Sequence, residues 1–319
     1  MTSSSSSVQA PWAAPADEGG RARFAVPTTP RPPSSASAFR PVRGRLELGV
    51  EARGGKSVAT HQFHEGALRV MRPHYLDDSG QVCYVVVNPG GAYLGADLFL
   101  IDVEVGDSAS LLLTTQSATK VYRTPGSFAE QRMAVRLGEG ARLELMPDQL
   151  IAYREASYRQ RTSVTLRPSS SLVMAEVVTP GWSPDGAAFR YEEVRLRNEV
   201  WVDAAGSDPQ LLALDNLLIR PPLGDVTGLG FMEGYSHLGS LMVVDARVDQ
   251  ALADELHHLT AGFDALTGIS LTRKVGGTTG LVLRALSNNT GELNRLLTAC
   301  ANVLRNRWFG QGPLNLRKH

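Results

Sequence analysis

The chain has 319 residues, with 32 Lys+Arg against 32 Asp+Glu, so its net charge is zero with histidine neutral. A balanced chain offers no overall field for nucleic acid or an anionic membrane. At 43% hydrophobic it carries enough apolar material for a sizeable core, and its two cysteines, Cys83 and Cys300, sit among apolar neighbours without a C-x-x-C spacing, which fits buried thiols in a reducing compartment.

Residues 1–43 are rich in Ser, Pro, Ala and Arg, without apolar periodicity. Such a segment buries too little surface to offset its chain entropy, so disorder is expected. Its start lacks the basic and apolar regions of a secretory signal, and no run of about 18 apolar residues follows, so a cytoplasmic protein without a transmembrane helix is expected. From Gly44 to about Val244 the signals are those of strands: Arg45–Val50, Ala67–Arg72, Val82–Val87, Leu98–Val105, Ser110–Leu113, Met133–Leu137, Ala141–Leu145, Ser157–Leu166, Leu172–Val178, Phe189–Arg197, Leu211–Leu217 and Leu241–Val244. Gly and Pro turns separate them, which argues an all-β body, although no clean repeat period is visible. Two helices follow, near 248–262 with Asp249 as N-cap and Gly262 as stop, and near 290–308 with Asn289 and Glu292 as a capping box. Between them Leu271–Val275 and Leu281–Leu286 read as a hairpin around Gly276–Gly280. The end, 311–319, reads as a loose tail, leaving 44–310 as one domain.

Asn88-Pro89-Gly90-Gly91 follows an apolar strand, as a phosphate loop does. Such a loop must open a helix. Here Phe99, Ile101, Val103 and Val105 alternate with Leu100, Asp102 and Glu104, so a strand follows and Asn88–Gly95 is a strand-to-strand connection. The polar run Thr114–Arg123, if extended, places Thr114, Gln116, Lys120 and Tyr122 on one face and Thr115, Ser117, Thr119 and Arg123 on the other. It contains no acid–base pair or activated nucleophile, so a polar sheet surface suited to protein contact is expected. Ser236 lies in Gly234-Tyr235-Ser236-His237-Leu238-Gly239, one residue out of register for the nucleophile elbow of an α/β hydrolase. His61 and His64, with His74 and Cys83, lack the converging ligands of a metal site and read as exposed strand histidines. Glu176 shares a strand face with Leu172, Met174 and Val178. If that face is internal, the carboxylate must be paired, protonated or lining a wet passage; on an edge strand it is simply exposed.

Asn88-Pro89-Gly90-Gly91, Gly95-Ala96-Asp97, Leu112–Arg123 (LLTTQSATKVYR), Ala141–Asp148 (ARLELMPD) and Gln160-Arg161-Thr162 together resemble the urease accessory protein family UreD, also called UreH. The similarity runs from about Gly44 to Gly310. Departures are Ala92 in place of a third glycine, Ala96 in place of a glycine, and the extension 1–43. The resemblance implies a mainly β protein of layered, β-helix-like sheets with two helices in the C-terminal region, and no catalytic activity. It implies a maturation scaffold that binds UreF, the GTPase UreG through it, and apo-urease, and that helps deliver nickel. It also implies no tightly bound cofactor, and transient passage of Ni²⁺ to which Glu176 could contribute a carboxylate. Asn88, Pro89, Gly90, Gly91, Thr114, Thr115, Gln116, Thr119, Lys120, Tyr122 and Arg123 are the signature residues, structural or at an interface. Rivals are a hydrolase using Ser236 and a β-helical carbohydrate-active enzyme, which needs paired carboxylates at a cleft.

Overall fold

The computed structural model describes residues 42–204 and 206–316. Its strands are, in order, β1 (Val42–Arg53), β2 (Lys56–Gly66), β3 (Arg69–Val70), β4 (Val82–Val87), β5 (Leu98–Val105), β6 (Ser110–Thr115), β7 (Thr119–Val121), β8 (Ala129–Leu137) and β9 (Arg142–Leu145). Then come β10 (Leu150–Ala152), β11 (Ser157–Leu166), β12 (Ser171–Val178), β13 (Glu193–Val202), β14 (Gln210–Ile219), β15 (His237–Asp245), α1 (Gln250–Thr260), β16 (Leu266–Leu271), β17 (Thr279–Ser287) and α2 (Thr290–Phe309).

The strands form two stacked sheets, ordered β14-β13-β11-β8-β5-β1-β2 and β16-β17-β15-β12-β9-β6-β4-β3. The chain alternates between them. In the first sheet β1, β5, β8, β11 and β13 pair in parallel, and in the second β4, β6, β9 and β12 do so. Short β7 and β10 pair in parallel on a third side. This is a β-helix-like coil. Leu98 pairs with Glu130, Glu130 with Arg159, and Arg159 with Arg195, so successive circuits take 32, 29 and 36 residues by subtraction. The unequal circuits explain why no repeat period shows in the sequence.

Alternation decides which side of each strand is inward. Phe99, Ile101, Val103 and Val105 of β5 join Leu111, Leu113, Leu143, Leu172 and Met174 in the core between the sheets. The opposite side of the second sheet, with Leu112, Val173, Val177, Leu241 and Val243, is covered by Leu252 and Leu256 of α1 and Leu293, Leu297, Cys300 and Leu304 of α2. Each leucine buried there contributes about 1.5–3 kcal/mol. Both thiols lie in this layer, and burial pushes that of Cys300 up to about 12. Asp249 and Asn289 cap the helices, accepting from the amides of Leu252 and Glu292. The Glu292 half of the expected capping box is diverted: its Oε1 accepts from the Asp264 amide at 3.0 Å, tying the helix to the loop after α1. Asn289→Ala should cost about 1 kcal/mol in a urea titration, with an unchanged slope.

Some boundaries differ from the sequence reading. Val42 and Arg43 already belong to β1, and residues 1–41 lie outside the described residues. The strand expected at Phe189–Arg197 is Glu193–Val202, because Phe189 sits in a turn at φ +57°. The expected Ala67–Arg72 strand shrinks to β3, while β2 has few apolar residues to signal it. The hairpin is real, but its first strand ends at Leu271 instead of starting there. Residues 311–316 are not loose: Gln311 and Leu314 are buried, and the Leu314 amide donates to Asn302 Oδ1 at 2.7 Å.

Candidate functional site

Between the sheets the apolar core gives way to a small cavity of about 100 Å³ with a mixed polar and apolar lining, room for several waters. β12 is a central strand, flanked by β9 and β15, so the exposed-edge alternative for Glu176 is overturned. Leu172, Met174 and Val178 face the inter-sheet core, and Glu176 shares their side. Its carboxylate crosses to the opposite sheet. Gln160 Nε2 of β11 donates to Oε1 at 2.6 Å, and Asn198 Nδ2 of β13 donates to Oε2 at 2.6 Å. Burial pushes the Glu176 pKa up to about 7; the Asp215 charge adds to this, while the two amides and Arg284 oppose it. The residue keeps some accessible surface because it lines the cavity. Asn198 Oδ1 is buried without a partner beside it. A buried carboxylate whose pKa is raised by desolvation, next to an unused acceptor, is a place for a proton or a cation.

The walls come largely from the stretches picked out in the sequence. Asn88, Gly91, Thr114, Thr115, Gln116, Thr119 and Lys120 line the same cavity as Glu176. The turn at its rim is fixed by Asn88, whose Oδ1 accepts from the Gly90 amide at 3.0 Å and whose carbonyl accepts from Gly91. Gly91 takes φ +78°, which a side chain resists. Pro89 and Gly90 complete the turn outside the lining. Thr114 donates to the Met146 carbonyl at 2.6 Å, and Thr115 Oγ1 accepts from the Asp148 amide at 2.9 Å.

The expectation of one extended polar run with two faces is corrected. β6 ends at Thr115, the chain bends through Gln116–Ala118, and β7 begins at Thr119. The Gln116 amide donates to the Val86 carbonyl, closing the bend over the cavity. Tyr122 and Arg123 stand apart from it. Tyr122 is exposed and packs edge-on to Tyr153 at 4.7 Å, and Arg123 pairs with Glu155 at 3.2 Å.

Gln131, Gln160, Thr162 and Asn198 were not assigned to a site from sequence. The signal was available: each is a polar residue at an inward position of an otherwise apolar alternation, as in Val194, Leu196, Asn198, Val200, Val202. Tyr93 donates to Gln131 Oε1 at 2.7 Å and Tyr158 to Gln160 Oε1 at 3.1 Å, so these amides are held in place from behind.

Other candidates fare differently. Ser236 bonds His237 Nδ1 at 2.8 Å and Asn288 Oδ1 at 3.1 Å, but strand β15 follows it directly, so the strand-to-helix elbow of a hydrolase is not formed. His61 pairs with Glu47 at 2.9 Å on the exposed β1–β2 hairpin. Among the described residues no three His, Cys, Asp or Glu side chains cluster to hold a metal.

The model of the UreD urease accessory protein family matches residues 42–319. The chain belongs to the UreD family. Urease accessory protein UreD of Arthrobacter sp. (strain FB24) is 79% identical over 276 residues, covering 86% of this chain and 94% of that relative. The protein of the same name from Paenarthrobacter aurescens (strain TC1) is 76% identical over 278 residues, 87% of this chain and 96% of its own. That of Actinomyces naeslundii is 48% identical over 276 residues, covering 86% and 98%. The UreD match begins at the first residue of β1 and takes in the whole coil and both helices. No helix among the described residues is long and apolar enough to cross a membrane.

Proposed function

We propose that this chain is a non-enzymatic urease maturation factor that works in the cytoplasm as a scaffold. It binds a UreF-type accessory protein and, through it, a UreG-type GTPase, and it holds apo-urease while nickel is inserted. The family membership supports the urease-related role. The GTPase chemistry belongs to the partner, since the sequence has no Walker A motif. Ni²⁺ is cargo here. The observation that carries its route is the Glu176 carboxylate, seated between two amides at a cavity lined in part by the Thr114–Lys120 segment.

Such a site suits a transient station. Nickel accepts carboxylate, amide oxygen and water ligands. One carboxylate whose direct partners are two neutral amides binds a divalent ion weakly enough to release it, which a closed thiolate cage does not. Both thiols are withheld in the helix-covered layer, away from the cavity. Deleting the chain from a urease-positive host should leave urease subunits at normal levels but low in nickel and activity, as read by elemental analysis of the purified enzyme. Normal nickel content in the deletion strain would end this reading.

A further inference from the structure

The Gln160-Arg161-Thr162 motif points both ways. Gln160 and Thr162 line the cavity, while Arg161 lies on the outer face of the first sheet and is exposed. Register places Arg161 opposite Arg132 of β8 on one side and opposite Arg197 of β13 on the other. In the adjacent row Arg159 lies opposite Glu130 and Arg195. Five of these six outward positions are arginines. Like charges directly opposite on a sheet are destabilising, so this block costs the fold something.

The nearby carboxylates are already engaged. Glu130 binds Arg132 at 2.7 Å, Glu199 binds Arg197 at 2.6 Å, and Glu193 holds both Arg159 and Arg220. Arg161 and Arg195 make no ion pair among the described residues; Arg195 donates only to Asn216, at 3.2 Å. At the rim, β14 presents Leu214 and Leu218, 52% and 45% exposed, with Leu218 opposite Arg195.

We propose that this face is a docking surface for an acidic, amphipathic helix of a protein partner. Neighbouring strands lie about 4.8 Å apart, so the Arg132–Arg161–Arg197 row sets out its side chains at nearly the 5–6 Å Cβ spacing of residues i, i+3 and i, i+4 on a helix. Guanidinium forks bind carboxylates in pairs, and Leu214 and Leu218 meet the apolar side of the same helix. Nucleic acid fits less well, because Glu130, Glu193 and Glu199 are interspersed and the chain as a whole carries no net positive charge.

The test uses the full chain and a fluorescein-labelled helical peptide with Glu at i, i+4 and Leu on its other side, followed by anisotropy. Binding should weaken at least about tenfold with Arg161→Glu, weaken steeply between about 0.02 M and 0.3 M salt, and stay unchanged with Arg295→Glu on the exposed side of α2, over the second sheet. Arg161→Thr should unfold at the same temperature or higher, since it relieves like-charge repulsion. Peptide binding indifferent to Arg161→Glu overturns the surface. So does a lowered midpoint for Arg161→Thr, which makes the arginine structural. A single-stranded oligonucleotide that binds more tightly than the peptide, with the same dependence on Arg161, overturns the choice of partner.

Discussion

Glu144→Ala is expected to lower the free energy of unfolding by about 3–5 kcal/mol. Glu144 is 1% exposed, in β9 on the side of the second sheet that α2 covers. Its Oε1 accepts from Arg142, and its Oε2 accepts from Arg305 Nη1 at 2.5 Å. Arg305 is itself 2% exposed and also reaches Gln81 Oε1 at 2.9 Å and Asp77 Oδ2 at 3.2 Å. Arg142 lies 3.6 Å over the Phe309 ring and donates to Gln311. The group therefore fastens the end of α2 and the segment after it to the second sheet. Removing the carboxylate leaves two buried cations facing each other, and desolvation of an unpaired charge is the larger part of the loss. The thermal midpoint should fall on the order of 10 °C. Replacing the partners together, as Glu144→Leu with Arg305→Met, should recover more than half of the loss, because a buried pair exchanged for apolar residues is often neutral. A cost below about 1 kcal/mol for Glu144→Ala would show that the group is not a clamp.

Glu176→Gln should change the pH dependence of stability as well as urease activation. The folded pKa of about 7 lies above the ordinary 4.5. The folded state therefore holds a proton that the unfolded chain has released. Stability from this group is fully present below pH 4.5 and is lost as pH rises through about 7. The loss amounts to about 3 kcal/mol at most. Gln160 and Asn198 recover part of the desolvation cost but do not cancel it. Glutamine carries no charge at any pH, so denaturant midpoints of the variant should stay flat from pH 4.5 to 8 with respect to this group, and should exceed the parent's at pH 8. If nickel uses the carboxylate, the ion must displace the proton, so capture should weaken below pH 7, and urease activation by the variant should drop about tenfold or more. Complex formation with partners should persist. A variant whose stability profile still falls towards pH 8 would place the titration on another group, and unchanged activation would remove Glu176 from the nickel route.

The β character and both helices were legible because they rest on local rules. Period-2 alternation in β5 and β11, the caps at Asp249 and Asn289, and the leucine stripe of α2 each declare themselves within a dozen residues. The coil was not derivable from the residues, because its circuits differ in length and parallel pairing joins positions about 30 residues apart. The resemblance supplied it instead. The same holds for the cavity. Glu176 stood out as a carboxylate in an apolar strand, but its partners lie 16 and 22 residues away on other strands. Thr114–Lys120 carried no sign that it bends inward, since Gln116–Ala118 contains neither glycine nor proline. In the sequence Arg161 is only the middle residue of Gln160-Arg161-Thr162. Its like-charged neighbours emerge once register is known.

The second sheet separates two different environments by single-residue alternation: in β12, Ala175 and Val177 pack in the helix-covered layer, while Glu176 sends its carboxylate to the opposite sheet. A substitution at one position disturbs one side. Deleting or inserting one residue within β12 would exchange the sides, driving the carboxylate under α2 and an apolar residue into the cavity. Over evolutionary time the strands are therefore closed to changes of length, and such changes must accumulate at the corners between sheets. The circuits of 32, 29 and 36 residues differ at those corners, while the strands between them stay in register.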